Sequence, residues 1–126
     1  MKVLIICTSA HDRSPALANY LFNLYPQHQY KYAGINKYFC SQHNSHYIEL
    51  KDLKWADLII YAERVHLDRT TNLFMEEFTH RQIPVLETNN YLVLNCGEYK
   101  KDSPLAEDWL TKAEDMIRLN IREFSH

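Results

Sequence analysis

The chain has 126 residues, enough for one domain built on one core. Hydrophobic residues make up 46% and charged residues 24%, which excludes a disordered chain. A formal net charge of -2 gives no basic face for nucleic acid, so any anion must be held by a local device. Three cysteines (Cys7, Cys40 and Cys96) are too few, and odd in number, for a disulfide framework. The opening apolar run is too short for a signal peptide or a membrane span. A reducing cytoplasm is the expected location, and it suits a reactive thiol.

Val3 to Ile6 is a continuous apolar run rich in β-branched residues, the pattern of a strand buried on both faces. A polar stretch from Thr8 to Arg13 follows. Ser14-Pro15 then reads as an N-cap and first helical position, opening a helix with Leu17, Leu21 and Leu24 on one stripe. Gln29 to Ala33 reads as a second strand closed by Gly34, and 36–45 as an irregular polar loop. Helical spacing of Tyr47, Leu50 and Leu53 predicts a short helix over 47–56. Leu58 to Tyr61 is another buried strand, and Leu67, Phe74 and Phe78 return to helical spacing.

Ile83 to Leu86 is a further short apolar strand. Tyr91 to Leu94 fits a strand or part of a long loop reaching Pro104. Leu110, Ala113, Ile117, Ile121 and Phe124 form the stripe of a last amphipathic helix. Strands alternating with helices predict an α/β fold with a mainly parallel sheet, in one domain spanning 1–126.

Cys7 and Arg13 enclose five residues, and Ser14 follows directly. A loop of this length can wrap a tetrahedral phosphate with the backbone N–H groups of Thr8, Ser9, Ala10, His11 and Asp12. The helix that follows adds its positive end. The Arg13 fork can hold two phosphate oxygens at once, which a lysine could not do. The same positive environment favours ionisation of the Cys7 thiol, and Ser14 can donate to the thiolate. The spacing alone is a weak signal; its place between a buried strand and a helix start makes it strong.

At Val3-Leu4-Ile5-Ile6-Cys7, Arg13-Ser14-Pro15, Ala33-Gly34-Ile35 and Trp55-Ala56-Asp57-Leu58-Ile59, the chain resembles the low-molecular-weight protein tyrosine phosphatases, and more closely a short branch of that family. The resemblance implies a flavodoxin-like three-layer sandwich with a central four-stranded parallel sheet. It also implies two-step hydrolysis through a phosphocysteine on Cys7, with no metal or other cofactor. Arg13 would then be the oxyanion clamp and Ser14 the thiolate stabiliser. The partner would be a phosphorylated protein or a small phosphate monoester, not nucleic acid or membrane.

This sequence departs from the family pattern in three places. Ala10 stands where the family usually has a loop-fixing Asn. Asp12 precedes Arg13, where a carboxylate facing the phosphate would repel it, so it is expected to point outward. The loop also lacks the second cysteine that some relatives use to protect the nucleophile. The family's general acid is an Asp, usually followed by Pro, ahead of the last helix. Asp102-Ser103-Pro104 is the nearest match, with Glu98 and Asp108 as alternatives.

Cys40, His43 and His46 have a metal-like spacing but no fourth ligand, and read as ordinary surface loop. His66 is expected to be structural or to support the site, and His11 to stand at the substrate rim. Two rivals share this scaffold: arsenate reduction with Cys40 or Cys96 as resolving thiol, and a phosphate-binding module without turnover.

Overall fold

The computed structural model describes residues 1–11, 13–80 and 91–95, together with 111, 114, 115 and 118, and these residues form one parallel sheet covered by helices on both faces. In chain order the elements are β1 (Lys2–Cys7), α1 (Arg13–Leu24), β2 (Gln29–Gly34), α2 (Lys37–His43), α3 (Leu50–Trp55), β3 (Leu58–Tyr61), α4 (Arg64–Leu73), α5 (Met75–Thr79) and β4 (Tyr91–Val93). The strand order is β2-β1-β3-β4, and every pairing is parallel. This is the flavodoxin-like α/β architecture expected from the sequence.

Side chains alternate across β1, as the strand period of two requires. Val3 and Ile5 join Leu58 and Ile60 beneath Leu17, Ala18 and Leu21 of α1. Leu4 and Ile6 join Ala33, Ile59 and Tyr61 on the opposite face, under Ile48, Leu53 of α3 and Leu67 of α4. A continuous apolar strand is therefore the signature of a sheet buried on both sides. Because β1 lies between β2 and β3, the chain leaves it over one face and returns over the other. The crevice at the carboxyl end of such a strand is where open α/β sheets bind ligands, and Cys7 is the last residue of β1.

Several local expectations are corrected. The stretch 36–45 contains helix α2, capped by the Asn36 side chain, which accepts from Phe39 N–H at 3.0 Å, and closed by Asn44 in the left-handed region at φ 54. Only Cys40 of that helix is buried, so it carries no apolar stripe to reveal it. The helix predicted over 47–56 shrinks to α3, and Tyr47 instead bridges Gly34 as a strand neighbour. The spacing from Leu67 to Phe78 covers two helices that meet at Phe74. Thr70 and Thr71 donate back to the carbonyls of His66 and Leu67 at 2.7 and 2.9 Å, a pattern that bends helices.

Tyr91–Val93 is a strand, settling the choice between strand and loop. The expected strand at 83–86 and most of the expected last helix lie outside the described residues, although 111, 114, 115 and 118 are helical. No helix among the described residues is long and apolar enough to cross a membrane.

Candidate active site

β1 delivers Cys7 to the carboxyl edge of the sheet, and the chain turns there through Thr8 to His11 before α1 begins at Arg13. Three successive carbonyls of this turn are tied down from outside. Cys7 O accepts from Ile35 N–H at 3.1 Å and Thr8 O from Asn36 N–H at 3.0 Å, while Ser9 O accepts from the Ser45 hydroxyl. In a trans peptide the N–H points opposite to the C=O, so these contacts direct the amides of Thr8, Ser9 and Ala10 towards the inside of the turn. Ala10 is buried and left-handed, at φ 54, a conformation that backbone nests for anions use.

Gly34 explains how close the supports can come. A Cβ at that position would stand 2.4 Å from Cys40 Sγ and 2.8 Å from both Ser9 C and Thr8 O. Gly34 does more than close β2. Its role is to let β2 and α2 lie directly against the loop backbone.

Cys7 is buried, and its Sγ lies 3.1 Å from Ser14 Oγ. The thiol donates to the hydroxyl as it stands; once the sulfur ionises, the hydroxyl donates in return. Helix α1 starts at Arg13 rather than after Ser14, so Ser14 belongs to its first turn instead of its N-cap. Ser14 has no exposed surface, and its hydroxyl accepts from the Cys7 thiol.

Arg13 is held from two sides. Nη1 donates to Glu63 Oε2 at 2.6 Å and Nη2 to Thr8 Oγ1 at 3.0 Å. Glu63 caps α4, and His66 in the first turn of the same helix reaches Thr8 Oγ1 through Nε2 at 3.0 Å. Burial, and next the charge of Arg13, push the His66 pKa down to about 4, so the ring is neutral at neutral pH. Glu63 was not singled out in the sequence. The Thr8 hydroxyl, as well as its backbone N–H, belongs to the site. The capping pattern Glu63-x-x-His66 after a buried strand was the available signal.

His11 stacks on His43 at the end of α2, with ring centroids 4.0 Å apart and planes at 12°. Together with Ala10, Pro15, Tyr32 and His46, the pair lines an open groove of about 720 Å³ on the flank of the turn. The groove does not include Cys7, so the stack borders the candidate site rather than forming its floor. Cys40 is not in a surface loop. It is buried beneath Thr8 and Gly34, and burial pushes its thiol pKa up. His46 Nε2 pairs with Asp52 Oδ2 at 2.7 Å. Asp12, Cys96, Glu98, Asp102 and Asp108 lie outside the described residues.

The parallel sheet in the order β2-β1-β3-β4 is a fold shared with solved phosphatase structures, among them low-molecular-weight tyrosine phosphatases from Streptococcus pyogenes and Vibrio cholerae. YfkJ from Bacillus subtilis superposes with a TM-score of 0.67 at 13% identity, over 100% of this chain and 97% of that one. The tyrosine phosphatase Wzb from Escherichia coli K30, solved with phosphate, gives 0.64 at 16% identity over 96% of each chain. The YwlE arginine phosphatase from Geobacillus stearothermophilus gives 0.61 at 17% identity, over 99% of this chain and 97% of its own. At these identities the likeness establishes the fold. Sequence comparison finds no matching family model and no matching curated protein.

Proposed function

We propose that this protein is a cysteine-dependent phosphatase of the low-molecular-weight tyrosine phosphatase type, hydrolysing phosphate monoesters through a phosphocysteine on Cys7. The observation that carries the reading is Cys7 Sγ, 3.1 Å from Ser14 Oγ, at the base of a turn whose first three carbonyls are tied outward and which runs into α1 at Arg13.

In the first step the Cys7 thiolate attacks phosphorus and forms an S–P bond. The P–O bond to the leaving group breaks as that oxygen takes a proton from a general acid. The loop amides and the Arg13 fork stabilise the oxygens that gain charge in the transition state. In the second step water attacks phosphorus, the S–P bond breaks, and the Ser14 hydroxyl stabilises the departing thiolate. Asp102 is the assigned acid, and then the base that activates water, with Glu98 and Asp108 as alternatives. The substrate class is a phosphorylated protein, phosphotyrosine foremost, or a small phosphate monoester, in a reducing cytoplasm and without a metal. Arsenate reduction with Cys40 as the resolving thiol is the weaker reading, because that buried thiol is held behind the loop backbone and resists ionisation.

Release of p-nitrophenol from p-nitrophenyl phosphate is the direct test. Cys7→Ser should abolish turnover and keep inorganic phosphate binding, since the backbone cradle and Arg13 remain. Near-normal turnover by Cys7→Ser overturns the reading. Wild-type protein that binds phosphate but never turns over would instead be a phosphate-binding module.

A further inference from the structure

We propose that His66 positions the Arg13 clamp by donating to Thr8, so that helix α4 ties the first residue of the phosphate turn to its last; the inference rests on the phosphatase reading above.

The direction of each bond follows from the one before. Glu63 N–H is a backbone donor and lies 3.0 Å from His66 Nδ1, so Nδ1 must be the bare, accepting nitrogen. A neutral imidazole then carries its proton on Nε2, which donates to Thr8 Oγ1 at 3.0 Å. Thr8 Oγ1 also accepts from Arg13 Nη2 at 3.0 Å, so both of its lone pairs are engaged. Arg13 Nη1 returns to Glu63 Oε2 at 2.6 Å. The four residues close a ring from the start of α4 through Thr8 and Arg13 and back to Glu63. His66 and Ser14 are both without exposed surface, and the Arg13 side chain is only 12% exposed, so water competes little for these bonds.

A fork anchored on both terminal nitrogens has little freedom left. Its orientation is set before substrate arrives, which is what electrostatic stabilisation of a transition state requires. His66 touches neither substrate nor reacting atoms in this scheme. It is a positioning residue, acting through Thr8.

The substitutions separate this role from a structural one. Asn at position 66 can keep an acceptor near the Glu63 N–H but does not reach Thr8, whereas Gln can extend an N–H donor towards the Nε2 position. Thr8→Val removes the acceptor, and Thr8→Ser retains it. We expect Thr8→Val and His66→Asn each to lower kcat by about 10-fold or more with KM nearly unchanged, since an oriented fork matters most in the transition state. Thr8→Ser should stay close to wild type, and His66→Gln should recover part of the loss. The double variant Thr8→Val/His66→Asn should be no worse than the poorer single variant, because both break one connection.

Losses that multiply in the double variant overturn the proposal, as does a Thr8→Val enzyme within about twofold of wild type, well short of the tenfold expected for a misplaced clamp. If His66→Asn fails to fold, His66→Gln takes its place in the double variant with Thr8→Val, and losses that multiply between those two overturn the proposal. Wild-type protein without turnover overturns the phosphatase reading instead. The same coupling is then read from orthovanadate affinity across these variants, where additive losses, or no binding at all, count against the ring.

Discussion

Ala10 is a buried, left-handed alanine inside the turn that would hold phosphate. For an L-residue with a Cβ that conformation costs about 1–2 kcal/mol, a cost glycine avoids. Ala10→Gly should therefore stabilise the fold by about 1 kcal/mol after the added freedom of the unfolded chain is subtracted. Thermal unfolding should show a rise of ~3–5 °C in Tm. An unchanged or lower Tm would mean that the methyl group's packing outweighs the strain.

His66 allows a prediction with a definite sign. Its pKa falls from the ordinary 6.5 to about 4 in the folded chain, because burial and then Arg13 disfavour the imidazolium. Above pH 6.5 the ring is neutral in both states, and its burial carries no protonation penalty. As pH falls from 6.5 towards 4 the unfolded chain takes up a proton that the folded chain refuses, so stability is lost across that window. At about 1.4 kcal/mol per unit the loss amounts to about 3 kcal/mol. Urea midpoints at pH 7.5 and 4.5 should fall further apart for wild type than for His66→Asn. Equal falls would assign the acid sensitivity to other groups.

At the scale of elements, the candidate phosphate turn depends on how closely β2 and α2 approach it. Gly34 ends β2 beside Cys7, its register partner in β1. A methyl group there would overlap Cys40 Sγ and the backbone at Thr8 and Ser9. Gly34→Ala should cost at least ~2 kcal/mol, the scale of overpacking in a tight core. Adding Cys40→Ala removes the sulfur contact but leaves the backbone ones. Chemical denaturation of Gly34→Ala/Cys40→Ala should therefore show only partial recovery, and full recovery would place the entire clash on the thiol.

Helix α2 shows why this approach was hidden. Its sequence exposes Tyr38 and Phe39 and buries only Cys40, so hydrophobic period could not mark it. Its Asn36 and Asn44 caps were the legible signal, and both are local.

At the scale of the whole molecule, the proposed mechanism draws its general acid from Asp102, whose worth depends on the leaving group. p-Nitrophenolate departs readily without a proton, whereas an unactivated phenol needs one, and there the acid contributes about 10²–10⁴-fold. Asp102→Asn should slow phenyl phosphate or phosphotyrosine hydrolysis far more than p-nitrophenyl phosphate. Equal slowing of both would show Asp102 shaping its loop, and would turn the same test to Glu98 and Asp108.

The sequence by itself determined the α/β class and marked Cys7 to Arg13 as the candidate phosphate turn. Both are encoded by neighbours in the chain: the apolar run Val3 to Ile6, the Cys7 to Arg13 spacing, and the Leu17 and Leu21 stripe that follows. Tertiary structure decided what holds the turn in shape. Glu63 meets Arg13 across 50 positions, His66 meets Thr8 across 58, and Ser45 meets Ser9 across 36. Those meetings follow from the parallel register of β1 with β2 and β3, which brings the ends of the three strands to one edge of the sheet. No local period records that register. The proposed chemistry of the turn therefore rests on one short segment, and its supports became visible only once the sheet had assembled.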